Sequence, residues 1–350
     1  MWKRLLVIVV ALGLLALSLK GVKLHETLDI LKGANWLLCF LALVILVFMT
    51  YLRGVRWSYL LRMQGYQYSA WNCFVVYMVS MFWGNVTPGR AGDFVKVLYA
   101  KQDVKAPIGS GMASVLVDRV LDLYLLLVMG GLGLWINPMP TDPDSIKMIK
   151  AVKYLFLILL FISLLAFNKK IGGFLLKIAS RSMMKQAHQE KTDKIFEDFH
   201  KGMESFYRPA MAWPVALSIV AYALIYWSCQ LLAQSIGLNI NIYYITFTIS
   251  VVNIVSLLTL FGLGTRDLAI QKLLGLISIS REPAEAFSLL IFFFATALFT
   301  LVCFFFSFLK PLPLGGVSGN PDNGTVTGSQ TGMATDQVAS VGPGPRNDGQ

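Results

Sequence analysis

Trp36-Leu-Leu-Cys-Phe-Leu-Ala-Leu-Val-Ile-Leu-Val-Phe-Met-Thr-Tyr-Leu52 contains no charged residue. A bilayer core about 30 Å thick takes roughly 20 apolar residues in helical form, so a stretch of this kind reads as a transmembrane helix. Working outward, comparable runs occupy residues 5–19, 70–86, 113–136, 152–167, 211–237, 242–261 and 284–309. Two shorter apolar pieces, 94–100 and 268–279, follow glycine-containing breaks and are too short to span. Over all 350 residues, 56% are hydrophobic and 14% charged, against about 25% charged in an ordinary soluble domain. The chain therefore reads as an all-α, polytopic membrane protein.

The net charge of +11 does not point to nucleic acid, because Lys and Arg lie in short segments between apolar runs rather than along a stripe with exposed aromatics. Cys39, Cys73, Cys229 and Cys303 each stand alone in an apolar run. They offer neither metal spacing nor a disulfide framework. His25, His188 and His200 fall outside the runs without ligand spacing, and no metal or cofactor is expected. Met1-Trp-Lys-Arg before residues 5–19 has the form of a retained signal anchor, since no small-x-small cleavage site follows.

Topology follows from the bias of Lys and Arg toward cytoplasmic loops. Lys3 and Arg4 place the N-terminus inside; Arg53, Arg56 and Arg62 place a second loop inside; Lys169, Lys170, Lys177, Arg181 and Lys185 do the same for a third. Runs 113–136 and 152–167 supply two crossings between those inside segments, so residues 70–100 must enter and leave on the cytoplasmic face. Arg90, Lys96, Lys101 and Lys105 agree with that placement. By the same logic residues 242–279 form a second re-entrant hairpin, opening outward, and the chain returns inside at Lys310. The expected architecture is six full crossings plus two re-entrant helical hairpins in a cytoplasmic (inner) membrane, with both termini cytoplasmic.

Residues 168–209 are polar, but Ile195, Phe196, Phe199, Met203 and Phe206 recur at near-helical spacing. One or two amphipathic helices lying on the membrane surface are expected there. Residues 311–350 turn to Gly, Pro, Ser, Thr, Asn and Asp, a composition that predicts a disordered cytoplasmic tail. Shifting the chain by 174 residues lays 36–52 on the start of run 211–237, 113–136 on 287–310, and Asp93 on Asp267. Two halves, about 36–136 and 210–310, would then have opposite orientations, a pattern that points to a transporter site between them.

Charged side chains inside a membrane helix cost about 2.5–3.5 kcal/mol each and normally face partners or a water-filled cavity. Three clusters qualify. In Asn85-Val-Thr-Pro-Gly-Arg-Ala-Gly-Asp93, Pro88, Gly89 and Gly92 break the helix, Arg90 could fork onto a phosphate, and Asp93 could pair with it or carry a proton. In Asp118-Arg-Val-Leu-Asp122 the acids are four apart and share a face, with Arg119 within reach of Asp122. In Gly262-Leu-Gly-Thr-Arg-Asp267, Gly264 precedes Arg266 and Asp267.

These motifs, together with Arg53-Gly-Val-Arg-Trp57 followed by Gly65, resemble the membrane region of the lysylphosphatidylglycerol synthases and their flippase-like relatives, over residues 1–310. The pattern departs at Asp93, Asp118 and Asp267, where the family commonly has Glu, and in lacking a proline ahead of the last motif. The resemblance implies translocation of an amphipathic lipid or lipid-linked headgroup between leaflets. It also implies that aminoacyl transfer belongs to a separate soluble domain, which the residues after Lys310 are too few and too polar to form. On this view Arg90, Arg119 and Arg266, with Gly89, Gly92 and Gly264, attract an anionic headgroup, while Asp93, Asp118, Asp122 and Asp267 pair with them or couple to protons. No ATP-binding loop is present, and no catalytic constellation is readable. A membrane-embedded lipid transferase and a non-catalytic partner of a lipid-modifying enzyme are the alternatives; homo-oligomerisation stays open.

Overall fold

Helix α1 (Leu24–Lys32) leads into Asn35, whose side chain accepts from the backbone N–H of Leu37 and Leu38 and so starts α2 (Trp36–Met63). The computed structural model describes residues 24–87, 92–136, 146–147, 150, 153–154, 157–158, 161, 189–206, 209–256 and 265–311. The expected anchor at 5–19, nearly all of the crossing at 152–167, and the tail from 312 lie outside the described residues. Every regular element among the described residues is helical. Among the described residues, three stretches are long and apolar enough to cross a membrane: Trp36–Met63, Pro209–Ser235 and Arg281–Leu309.

The apolar stretch that begins at Trp36 does not end where its apolar character does. At 1.5 Å per residue, α2 is about 42 Å long, and it carries Arg53 and Arg56 as buried helical residues instead of loop cations. Their partners inside the protein remove the need to reach water, so the expected second loop begins only after Met63. Gly65 (φ +92°) ends α2, with its N–H on the Arg62 carbonyl and that of Tyr66 on Leu61. The left-handed backbone there suits a residue without Cβ.

Next come α3 (Ala70–Val86), a break, α4 (Val95–Val104) and α5 (Ile108–Ile136). α6 (Gln189–Glu204) follows, then α7 (Ala212–Ser235), α8 (Ile242–Ser256), α9 (Thr265–Gly275) and α10 (Arg281–Leu290). α10 continues through a π-helical segment, Ile291–Leu298, into α11 (Phe299–Leu309). α3 ends at Thr87 and the chain is described again from Gly92, while the rest of the first expected break (88–91) and all of the second (257–264) lie outside the described residues. Ser69 caps α3 by accepting from Asn72 N–H, and Thr87 closes it.

The packing is reciprocal. α2 lies antiparallel along α7, with Asn35 N–H bonded to the Ser235 carbonyl at one end and Arg56 bonded to Ser218 at the other. α3 packs on α11, where Phe74 meets Phe306 edge-on at 5.4 Å; α8 packs on α5, where a Cβ on Gly133 would lie 2.6 Å from that of Phe247. The 174-residue shift carries the first contact to within one residue of the second. Among the described residues, the non-glycine positions with positive φ are Lys105 (55°) and Ser278 (61°), just past α4 and just past α9. Such conformations are uncommon, and these two are again one shift apart to within a residue. Gly237 (φ +76°) ends α7 as Gly65 ends α2.

α6 differs from expectation. Its apolar face covers protein rather than lipid: Phe199 and Phe206 are buried in a cluster with Leu60, Ala113 and Val117. Small residues on α5 allow this approach, since a Cβ on Gly109 would lie 2.2 Å from the Ile195 carbonyl oxygen.

Candidate functional site

Buried charged residues carried by α2, by α5 and by the chain from Asp93 into α4, with polar partners on α3 and α7, gather around Asp118, which is fully buried. Arg56 reaches Asp118 Oδ1 at 2.5 Å and Asp122 Oδ1 at 2.8 Å, and donates to Ser218 Oγ at 2.7 Å. One guanidinium thus holds both acids of the four-residue spacing. Lys96 Nζ lies 2.7 Å from Asp118 Oδ2, which also accepts from the Tyr77 hydroxyl at 3.0 Å. Lys96 sits 4.2 Å from the centre of the Tyr77 ring and 5.6 Å from that of Trp57, positions in which ring faces attract a cation. It is therefore a buried partner of Asp118, not the surface cation expected from the positive-inside count.

Arg119 turns the other way along α5, contacting Asp93 at 3.2 Å and Asp122 at 3.7 Å. Asp93 is positioned by a tight crossing at the first break. Gly92 N–H donates to Thr87 Oγ1, which itself donates to the Trp83 carbonyl. A Cβ on Gly92 would lie 2.2 Å from that carbonyl, and one on Gly84 2.5 Å from Asp93 Oδ1. Gly92 and Gly84 are thus what lets the chain after the break lie against α3. Arg53 makes no ion pair among the described residues; its guanidinium lies 5.3 Å over the Tyr222 ring.

Four cations (Arg53, Arg56, Lys96, Arg119) thus face three carboxylates (Asp93, Asp118, Asp122), a formal excess of one positive charge among the described residues. The excess is not fully enclosed: the Arg119 side chain keeps 23% of its accessible surface, whereas those of Arg56, Lys96 and Asp118 keep at most 1%. A buried anion acceptor with one reachable guanidinium is the chemistry this arrangement offers.

Arg266 and Asp267 belong to a different group of helices. Arg266 bonds Asp267 Oδ1 through Nε and Nη2 (3.2 and 2.8 Å), and its guanidinium lies 5.1 Å from the Phe292 ring centre on the π-helical segment. Ser288 of α10 also bonds Asp267. Gly89, Arg90 and Gly264 lie outside the described residues. Asp93, Asp118, Arg119 and Asp122 are brought together, then, while Arg266 and Asp267 are held elsewhere.

A third group closes one end of the bundle. Lys310, after α11, contacts Asp103 of α4 and the Tyr68 hydroxyl, and Tyr99 donates to its carbonyl at 2.8 Å. Burial first, and then the neighbouring Asp103, raise the Tyr68 hydroxyl above its ordinary range. All four cysteines are free and buried, in keeping with their apolar surroundings. Among the described residues no three His, Cys, Asp or Glu converge as metal ligands.

Residues 4–303 match the family model described as the lysylphosphatidylglycerol synthase TM region. The chain belongs to that family. Within the lysylphosphatidylglycerol synthase TM family it is 23% identical to a UPF0104 membrane protein of Methanocaldococcus jannaschii over 292 residues, covering 76% of this chain and 83% of that protein. A second UPF0104 membrane protein of the same organism is 24% identical, covering 64% of this chain and 91% of the relative. A protein named glycosyltransferase AglD from Haloferax volcanii is 35% identical over 127 residues, 36% of this chain but only 20% of that one. No solved structure matches.

The resemblance motif Arg53-Gly-Val-Arg-Trp57 acquires a physical meaning from the geometry. Arg53 and Arg56 supply two of the four cations, and Trp57 donates to Ser114 Oγ at 3.2 Å. A Cβ on Gly54 would lie 2.6 Å from Phe74 Cα, so its absence brings α3 close. Arg53 and Arg56 were not legible as site residues, although their three-residue spacing on a continued helix was the available signal. Lys96, Tyr77, Ser218 and Tyr222 gave no local signal at all.

Proposed function

We propose that this protein moves an amphipathic lipid, or a lipid-linked headgroup bearing an anionic group, between the leaflets of the cytoplasmic membrane. The observation carrying this reading is the buried excess of cations around Asp118 and Asp122, reachable through Arg119, within a bundle of apolar helices. A phosphate-bearing headgroup is the ligand whose charge and paired terminal oxygens suit a planar guanidinium left with exposed surface. Six crossings with two re-entrant hairpins, arranged as an inverted repeat of residues 36–136 and 210–310, are part of the proposal. The doubled element order, the reciprocal packing and the paired positive-φ ends support that arrangement. Shared placement of Tyr68, Asp103 and Lys310 at one end supports a cytoplasmic C-terminus. Arg90, Gly89 and Gly264 keep their proposed headgroup roles, and Asp93 and Asp122 hold Arg119 between ligands. A homo-oligomer, or a lipid-modifying enzyme as partner, fits the same reading.

A second reading, a membrane-embedded lipid transferase, draws on the partial similarity to the glycosyltransferase of Haloferax volcanii. It predicts a modified lipid product, whereas transport predicts an unchanged one. Purified protein should retain an anionic lipid identifiable by mass spectrometry, and in liposomes it should exchange that lipid between leaflets faster than protein-free membranes. Loss of one charge-assisted contact is worth about 1.5–3 kcal/mol, so Arg119→Gln should slow exchange about tenfold or more. Wild-type exchange at the protein-free rate would count decisively against transport.

A further inference from the structure

Glu285 lies on α10, in the apolar stretch Arg281–Leu309, and is fully buried. Its Oε2 accepts from the Gln271 side-chain amide at 2.5 Å, and its Oε1 has no hydrogen-bond partner among the described residues. Arg266, on the neighbouring helix, gives its Nε and Nη2 to Asp267 and makes no ion pair with Glu285 among the described residues. The local inventory is therefore two carboxyl groups against one guanidinium. An isolated ionised carboxylate in such surroundings is so costly that it takes a proton instead.

Among the described residues, the elements packed around α10 place no second cation in an ion pair with Glu285. α9 presents Arg266, Asp267 and Lys272, and Lys272 is exposed; α1 brings His25, Glu26, Asp29 and Lys32, and Asp29 pairs with both His25 at 3.0 Å and Lys32 at 2.9 Å. α7 contains tyrosines and Cys229 but no Asp, Glu, Lys, Arg or His, and the π-helical segment carries no ionisable side chain. On α10 itself Arg281 and Glu282 sit in the first turn, and Arg281 is exposed.

We propose that Glu285 is a proton-binding site, holding one proton on Oε1 in the conformation described and returning it to the aqueous phase when the α9–α10 pair rearranges. The proton comes from water and goes back to water; no bond other than O–H forms or breaks. Coupling of this proton to lipid movement rests on the transport reading above, and it gives the Asp267 group a role distinct from the cation cluster: drive on one side, headgroup on the other.

Difference infrared spectroscopy of the full chain in bilayers tests the site without any transport assay. Wild-type protein at neutral pH should show the carbonyl stretch of a protonated carboxylic acid, and Glu285→Gln should lose it. Gln271→Leu should keep the band but shift it to higher frequency, because the hydrogen bond from the amide is gone. A wild-type spectrum in which neither variant alters such a band overturns the proposal. For the coupling, an imposed pH gradient should bias lipid exchange by wild type and not by Glu285→Gln. An equal response from both removes the coupling role. If wild type exchanges no lipid at all, the transport reading fails while the infrared result still decides the proton site.

Discussion

Asp118 accepts from Arg56, Lys96 and Tyr77 at once, so it is where the charge balance of the cluster is most exposed to substitution. Removing it would leave two buried cations with one fewer anion between them, and breaking a buried pair costs about 3–5 kcal/mol. Asp118→Asn should therefore lower the unfolding midpoint in detergent sharply. Arg53→Met should do much less, since Arg53 has no ion pair among the described residues and its ring contact is worth only about 0.5–2 kcal/mol. Equal midpoints for Asp118→Asn and wild type would rule out Asp118 as the organising group. The sequence made half of this visible. Asp118 and Asp122, four apart, announce a shared face by themselves. Arg56 does not, because a cation following an apolar run looks the same in a loop as in a continuing helix, and the partner that distinguishes the two lies 66 residues away.

At the scale of elements, apolar length predicted both ends of α3 and the start of α8, and placed α4 and α9 to within about four residues, because the cost of unsatisfied backbone in lipid acts locally. What it could not predict is which surface each helix meets. α6 shows this most clearly: its amphipathic spacing was legible, yet the face that resembles a lipid-binding one is filled by α5. The seam depends on two glycines, since a Cβ on Gly109 would strike the α6 backbone and one on Gly202 would lie 2.9 Å from the Gln64 amide and 3.0 Å from the Ala113 Cβ. Gly109→Ala should loosen α6 by about 1–3 kcal/mol, the usual cost of overpacking, and should speed amide hydrogen exchange across residues 189–204. Gly131→Ala is the matched control, as no atom lies within 4 Å of its added Cβ. Unchanged exchange in Gly109→Ala would show that α6 is not held by this seam.

For the whole molecule, the proposed repeat is one of plan and not of chemistry. The shift that pairs Asp93 with Asp267 sets Asp118 against Phe292 and Lys96 against Ile270, so the cation cluster has no counterpart in the second half. The first half gathers charge between α2 and α5, while the second keeps Arg266, Asp267 and Glu285 among aromatic and apolar neighbours. Such a division suits a carrier whose two faces do different work, and it requires that equivalent positions in the halves look toward opposite sides of the membrane. Lys105 and Ser278 provide the test, being exposed, equivalent to within one residue, and alike in backbone conformation. Because the four native cysteines are buried, a membrane-impermeant maleimide should report mainly on introduced thiols. Lys105→Cys should label only when the cytoplasmic face is accessible, and Ser278→Cys from the outside of intact cells. Labelling of both from one side would make the repeat a parallel one and would withdraw the support that inversion lends to the transport reading.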